Sequence, residues 1–175
     1  MCGIAGVVSI TPFPNALGIE QTLHRMARLI AHRGPDGSDI WHDSHAGLAH
    51  TRLAIIDLSE AGRQPMHDVQ GHYVLTYNGE IYNYRELREE LRAAGHHFRT
   101  ETDSEVILNG YREWGEAVVD RLRGMFAFAL WDEREKRLFM ARDRVGQKPL
   151  FFARFGEVFL FGSEIKSILT WPGFP

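Results

Sequence analysis

Met1-Cys2-Gly3-Ile4-Ala5-Gly6-Val7-Val8 opens the chain, and its reading decides how the rest is laid out. Ile4 to Ser9 is a short apolar run that reads as a buried strand, with Gly3 and Gly6 permitting close backbone approach beside it. Ahead of the strand stands Cys2, the one cysteine among 175 residues, so neither an intrachain disulfide nor a cysteine-built metal site is available. Two readings of its sulfur are open. It is a small buried strand residue, as most free cysteines are, or it is reactive. In the second case, removal of Met1 puts a thiol and a free α-amine on one residue. A thiol titrates at about 8.5 and an α-amine at about 7.7–8.0. Near neutrality the amine can therefore take the proton of the sulfur and later hand it to a departing amine.

The chain is long enough for one domain with a substantial core. Its 44% hydrophobic and 25% charged residues describe a globular protein. A formal net charge of -3 without a basic run disfavours phosphate-backbone binding, so no nucleic-acid partner is expected. No apolar run reaches the roughly 18 residues of a membrane span, and the N-terminus lacks the basic segment, apolar core and cleavage site of a secretory signal. The expectation is a soluble cytoplasmic protein with no membrane partner, in a compartment that keeps Cys2 reduced.

Outward from the first strand, a loop with Pro12 and Pro14 precedes a helical stripe of Ile19, Leu23, Met26, Ala27 and Ile30, stopped by His32-Arg33-Gly34-Pro35-Asp36-Gly37. Short apolar runs at Ala46 to Ala49, Leu53 to Asp57 and Tyr73 to Tyr77, with a polar turn at Ser59 to Gln64, predict strands. Asn78-Gly79 has hairpin chemistry. The helical pattern of Asn83 to Ala94, closed by Gly95, makes it instead a strand-to-helix junction with outward, unpaired N–H groups. A further helix is predicted from Thr102 through Trp114, with Thr102 and Glu105 spaced as a capping box. Met125 to Trp131 with Arg137 to Ala141, and Leu150 to Phe155 with Val158 to Phe161, read as hairpins whose many phenylalanines are core packing. A short helix over Ser163 to Leu169 and loop composition from Trp171 to Pro175 end the chain. Strands, paired helices, then hairpins give an α+β layered fold with antiparallel sheets and helices outside.

Several motifs run in one order across nearly the whole chain: Met1-Cys2-Gly3-Ile4, His32-Arg33-Gly34-Pro35-Asp36-Gly37, His50-Thr51-Arg52-Leu53-Ala54-Ile55-Ile56-Asp57, Gln64-Pro65-Met66, Asn78-Gly79-Glu80-Ile81-Tyr82-Asn83, Thr102-Asp103-Ser104-Glu105-Val106-Ile107-Leu108, Gly124-Met125-Phe126-Ala127-Phe128-Ala129 and Arg142-Asp143-Arg144. Together they resemble the glutamine-hydrolysing domain of class II, N-terminal-nucleophile amidotransferases, most closely the asparagine synthetase branch. The resemblance implies an αββα four-layer sandwich, two antiparallel sheets between helical layers. It implies a glutaminase domain over residues 1–175 that normally runs somewhat past Pro175, with an ATP-dependent synthetase domain absent from this chain. Cys2 would attack the side-chain amide of L-glutamine, form a thioester and release ammonia for an amidation such as aspartate to asparagine. The Asn78 side-chain amide and the Gly79 N–H would form the oxyanion hole. Arg52 would hold the α-carboxylate, Asp103 with Glu80 the α-ammonium, and the backbone along Leu53, Ile55 and Ile56 would line the pocket. From the residues alone, Asn78-Gly79 is also plain turn chemistry, Arg52 an ion-pair partner and Asp103 a helix cap.

The resemblance implies no cofactor in this domain; ATP and Mg are expected only in the synthetase domain. No metal site is expected, because the nine histidines lack a completing carboxylate or cysteine pattern. The partners implied are L-glutamine and the synthetase domain of the same full-length chain, with a homodimer left open. Two alternatives stand beside this reading. One is a non-catalytic glutaminase-like docking module, and the other is an amidotransferase domain acting on a sugar or peptide acceptor. Thr51 and Gln147 depart from the family's pattern away from the implied site.

Overall fold

The structure, a computed structural model that describes residues 1–174, arranges strands β1 (Gly3–Ser9), β2 (Gly37–His42) and β3 (Ala46–Arg52) with β8 (Phe151–Phe155) and β9 (Val158–Gly162) in one sheet, ordered β2-β3-β1-β9-β8. Strands β4 (Met66–His67), β5 (Tyr73–Ile81), β6 (Gly124–Asp132) and β7 (Arg137–Arg142) form the second, ordered β4-β5-β6-β7. All the pairings are antiparallel. Helices α1 (Ala16–Leu29), α2 (Tyr84–Ala93), α3 (Ser104–Trp114), α4 (Val118–Arg121) and α5 (Ile165–Ile168) complete the regular structure.

The two-residue period of the strands makes the layers. On β1, Ala5 and Val7 turn outward onto Ile19, Leu23 and Met26 of α1 and Ile30 just after it. On β5 and β6, Leu75, Tyr77, Phe126, Phe128 and Leu130 turn outward onto Leu87 and Leu91 of α2 and Ile107, Leu108 and Tyr111 of α3. Their neighbours Val74, Ala129 and Trp131 turn inward to meet Ala46, Leu48 and Phe161 of the facing sheet. Each sheet is thus apolar on both sides, and the sandwich has the four expected layers.

Where the elements differ from expectation, local bonding gives the reason. Leu53 to Asp57 is a loop rather than a strand. The Arg52 side chain donates to the carbonyls of Asp57 and Ser59, so the chain wraps around its own arginine and leaves Ile55 and Leu58 exposed. Asn78-Gly79 is no junction: β5 continues through both residues to Ile81, and α2 begins only at Tyr84. The capping box is absent too, since the Glu105 carboxylate accepts from the N–H groups of Arg99 and Thr100 and Asp103 makes no side-chain cap bond to α3. Strands β2 and β4 were not foreseen; β2 carries only Ile40 and Trp41 as large apolar residues, and β4 spans two positions. The loop expected at the C-terminus falls partly outside the described residues.

Strand β1 is central, which fixes the position of Cys2. Ile4 N–H donates to Ser163 Oγ at 3.0 Å, and Arg33 Nε donates to the Cys2 carbonyl at 3.0 Å while its Nη1 bonds Glu164 at 3.1 Å. Burial works against the Glu164 carboxylate, but Lys166, Arg33 and His32 together hold its pKa down to about 2. The stabilisation is therefore present above the ordinary value and lost as pH falls toward 2. Glu164→Gln is expected to lower the melting temperature at pH 7 by about 2–4 °C, the shift that about 1 kcal/mol makes in a domain of this size. Thermal melts across the acid range check it: the gap to wild type should close as pH approaches 2.

Candidate active site

Cys2 ends at one wall of a cavity of about 160 Å³ between the ends of β1, β3 and β5, the 53–62 loop and the residues ahead of α3. Its sulfur is bracketed by one peptide-bearing residue: Leu53 N–H donates to Sγ at 3.4 Å, and Sγ–H faces Leu53 O at 3.6 Å. Burial is the largest influence on the thiol and pushes its pKa up; the Leu53 N–H and the charge of Arg52 act the other way. At neutral pH the group is a thiol, and a nucleophile here needs a base.

The outer edge of β5 supplies the opposite wall. Tyr82 N–H bonds Arg123 O and Glu133 N–H bonds His72 O, so even-numbered residues of β5 pair with β6 and odd-numbered ones turn their backbone groups away from it. On that outer edge β4 reaches only as far as Leu75. Beyond it Tyr77 N–H donates to Gln64 Oε1 at 2.7 Å, His50 Nε2 bonds Tyr77 O at 3.1 Å, and Ile81 N–H donates to Asp103 Oδ2 at 2.8 Å. Between them Gly79 N–H has no protein partner among the described residues and borders the cavity. Position 79 has to be glycine for packing, since a Cβ would overlap the Met125 carbonyl and the Phe126 backbone. Asn78 follows Val74 and Thr76 on the inward face, its Nδ2 buried without a hydrogen-bond partner at the same cavity. Two donors thus stand unused opposite one thiol, and buried orphan donors of this kind are uncommon unless something arrives to meet them.

Charge is separated across the same space. Two donors of Arg52 are committed to Asp57 O and Ser59 O, which clamps the guanidinium and leaves its other N–H groups for the cavity. Asp103 is buried, and burial pushes its carboxyl up, while bonds from Tyr77 Oη at 2.6 Å and from Ile81 N–H pull it down. Its Oδ1 makes no protein hydrogen bond among the described residues. Glu80 lies close by at the exposed rim. His50 is fully buried, and burial takes it down to about 4, so it is neutral and donates through Nε2.

Cys2, Arg52, Leu53, Ile55, Ile56, Asn78, Gly79, Glu80 and Asp103 all border this one cavity. Sequence reasoning missed four others: His50, Gln64, Tyr77 and Lys148. Gln64 and His50 each stood in a motif without a role of their own; only the pairing of Tyr77 with both reveals their use. Among the described residues no group of three or more His, Cys, Asp or Glu is placed to hold a metal, and no helix is long and apolar enough to cross a membrane.

Residues 1–175 match the family described as a glutamine amidotransferase domain. The chain is 51% identical over 175 residues to asparagine synthetase [glutamine-hydrolyzing] 3 of Bacillus subtilis (strain 168), an alignment covering 98% of this chain and 28% of that protein. It is 40% identical to amidase chry2 of Gibberella zeae, over 98% of this chain and 27% of that one. The chain therefore spans little more than a quarter of the length of such relatives. Among solved structures, glutamine phosphoribosylpyrophosphate amidotransferase from B. subtilis, complexed with ADP and GMP, superposes with a TM-score of 0.78 over 95% of this chain and 42% of that one at 19% identity, a likeness of fold alone. With the match running from residue 1 to residue 175 and half the residues shared with a glutamine-hydrolysing synthetase, the chain belongs to the glutamine amidotransferase domain family.

Proposed function

We propose that this domain hydrolyses the side-chain amide of free L-glutamine to glutamate and ammonia, with Cys2 as nucleophile once Met1 has been removed. The observation that carries the reading is the placement of one thiol opposite two unused donors, Asn78 Nδ2 and Gly79 N–H, in a single cavity. The α-amine takes the thiol proton as Sγ attacks the amide carbon, and the carbonyl oxygen, now negative, falls to the two donors. The amine passes that proton to the leaving nitrogen, ammonia departs, and a thioester remains. Water, deprotonated by the same amine, attacks the thioester; glutamate leaves and the sulfur recovers its proton.

Recognition of the free amino acid follows from the charges. The remaining N–H groups of Arg52 suit the α-carboxylate in a planar fork. Asp103 Oδ1 and the Glu80 rim suit the α-ammonium, whose arrival compensates a carboxyl that burial disfavours. Leu53, Ile55 and Ile56 wall the pocket. Ammonia is consumed by a synthetase domain elsewhere in the full-length polypeptide, where ATP and Mg act, with aspartate as acceptor by analogy with the relatives; a sugar or peptide acceptor would leave this site unchanged.

Treatment of the Met1-processed protein with an electrophilic glutamine analogue, read by intact mass and peptide mapping, tests the proposal. A single adduct on Cys2 is expected, and an unlabelled Cys2 overturns it in favour of a docking module. Asn78→Ala is expected to lower kcat about 100-fold with little change in KM, because it removes one oxyanion donor. Arg52→Lys is expected to raise KM for glutamine about tenfold at nearly constant kcat, since a point charge replaces a clamped fork; steady-state ammonia release distinguishes the two effects.

A further inference from the structure

Lys148, in the loop between β7 and β8, is 4% exposed, yet it has no carboxylate partner among the described residues. Its ammonium makes one hydrogen bond, to Met1 Sδ at 3.1 Å. A thioether is a weak acceptor, and a buried lysine without an anionic partner is costly. The loop is nevertheless built to hold it there. Asp143 accepts from the N–H groups of Gln147 and Lys148, at 2.8 and 2.9 Å, and Arg142 Nε donates to Lys148 O at 2.6 Å. Lys148 borders the same cavity as Cys2 and Met1, with its ammonium against the Met1 side chain. Its partner is the residue that processing removes.

The remaining charges around Cys2 give this placement a purpose. Glu80 on β5, Asp103 ahead of α3 and Asp57 in the 53–62 loop border the cavity with negative or potentially negative charge, the Asp57 carboxylate already accepting from Ser59 and from Glu101 N–H. Arg52 on β3 is clamped to the 53–62 loop by its carbonyl bonds and keeps its other N–H groups for the cavity, and Arg33 bonds the Cys2 carbonyl and Glu164 while its Nη2 has no partner among the described residues. His50 is neutral, and burial pushes the Tyr77 phenol well up. Two carboxyls that suit a substrate ammonium would by the same attraction hold the α-amine of Cys2 protonated, where it cannot act as a base. A cation held beside the α-amine acts the other way and disfavours its protonated form.

We infer that in the processed chain Lys148 is a positioning residue for the α-amine of Cys2: its buried ammonium, released from Met1, faces that nitrogen and keeps it in the unprotonated form that takes the thiol proton. Lys148 acts through Cys2 and not on the substrate. The inference rests on the N-terminal-nucleophile reading proposed above.

The pH profile of kcat/KM for glutamine hydrolysis by the processed chain tests it, in wild type, Lys148→Met and Lys148→Arg. Removing the positive neighbour raises the pKa of the amine, so the acid limb of Lys148→Met should move up by about one pH unit while Lys148→Arg stays near wild type. Nitrogen NMR titration of labelled Cys2 in the wild type gives the same quantity without a variant: the α-amine should titrate below its ordinary range. An unmoved acid limb in a folded Lys148→Met, a raised KM with the limb in place, or a wild-type amine titrating at or above the ordinary range overturns the inference and leaves the glutaminase reading standing. A processed wild type that does not hydrolyse glutamine overturns both.

Discussion

Cys2→Ala is expected to abolish ammonia release from glutamine while leaving the melting temperature within about 2 °C of wild type. The second half of that expectation follows from how little the side chain does for the fold. It is only partly buried, and its bonds are two long contacts to the Leu53 backbone, of the kind whose loss shifts stability by about 0.5 kcal/mol or less. The backbone of residue 2 is held independently through Arg33, and β1 through Ser163 and two neighbouring strands. The first half follows from the chemistry. Without the sulfur no thioester forms, and a water molecule attacking the amide directly has only the Asn78 and Gly79 donors to help it. Such residual assistance lies several powers of ten below an intact nucleophilic site. Glutamine should still bind, because Arg52, Asp103 and Glu80 are untouched. Isothermal titration of Cys2→Ala with glutamine, beside the ammonia assay, separates a lost nucleophile from a lost pocket; ammonia release at wild-type rate removes Cys2 from the reaction.

The layers of the fold could be read because they depend on periodicity, and β1, β6, β7 and α1 carry theirs openly. What could not be read was held by side-chain bonds and packing that periodicity does not reveal. The strand expected at Leu53 to Asp57 has the right apolar residues, yet Arg52 bends the chain around its guanidinium by bonding the carbonyls of Asp57 and Ser59, which the apolar pattern does not encode. The Asn78-Gly79 dipeptide carries turn chemistry and sits inside a nine-residue strand. There Gly79 serves close packing against Met125 and Phe126, and its open N–H results from β4 stopping at Met66, a boundary the sequence does not mark. All nine residues singled out for the site meet at one cavity, but they were found through motif order. Residues whose use depends on a partner far along the chain, such as His50 and Gln64 flanking the Tyr77 backbone, gave no signal. Lys148 was hidden differently, since a lysine in a polar loop looks exposed until its near neighbours Asp143 and Arg142 are seen to fold the loop inward.

A chain extended by even one residue ahead of Cys2 is expected to lose about a thousandfold or more in glutamine hydrolysis, within the 100- to 10,000-fold range that a positioned general base contributes. With Met1 attached, the nitrogen of Cys2 belongs to a peptide bond and has no basicity, and among the described residues no side chain is hydrogen-bonded to the sulfur to take its place. His50 is neutral and buried but spends its Nε2–H on Tyr77 O. Asp103 already accepts from Tyr77 and Ile81, and Glu80 sits at the exposed rim. Because burial pushes the thiol pKa up, the extended chain also lacks a ready-made thiolate at neutral pH. Met1 borders the cavity as well, so obstruction has to be separated from the loss of the base. Alkylation of Cys2 by a small neutral electrophile does this. In the extended chain it should proceed at high pH, where the thiol ionises unaided, and fall away near neutrality, whereas a blocked cavity would slow it at every pH. Full glutaminase activity in a chain verified by mass to retain Met1 would remove the α-amine from the mechanism and leave the sulfur without a base.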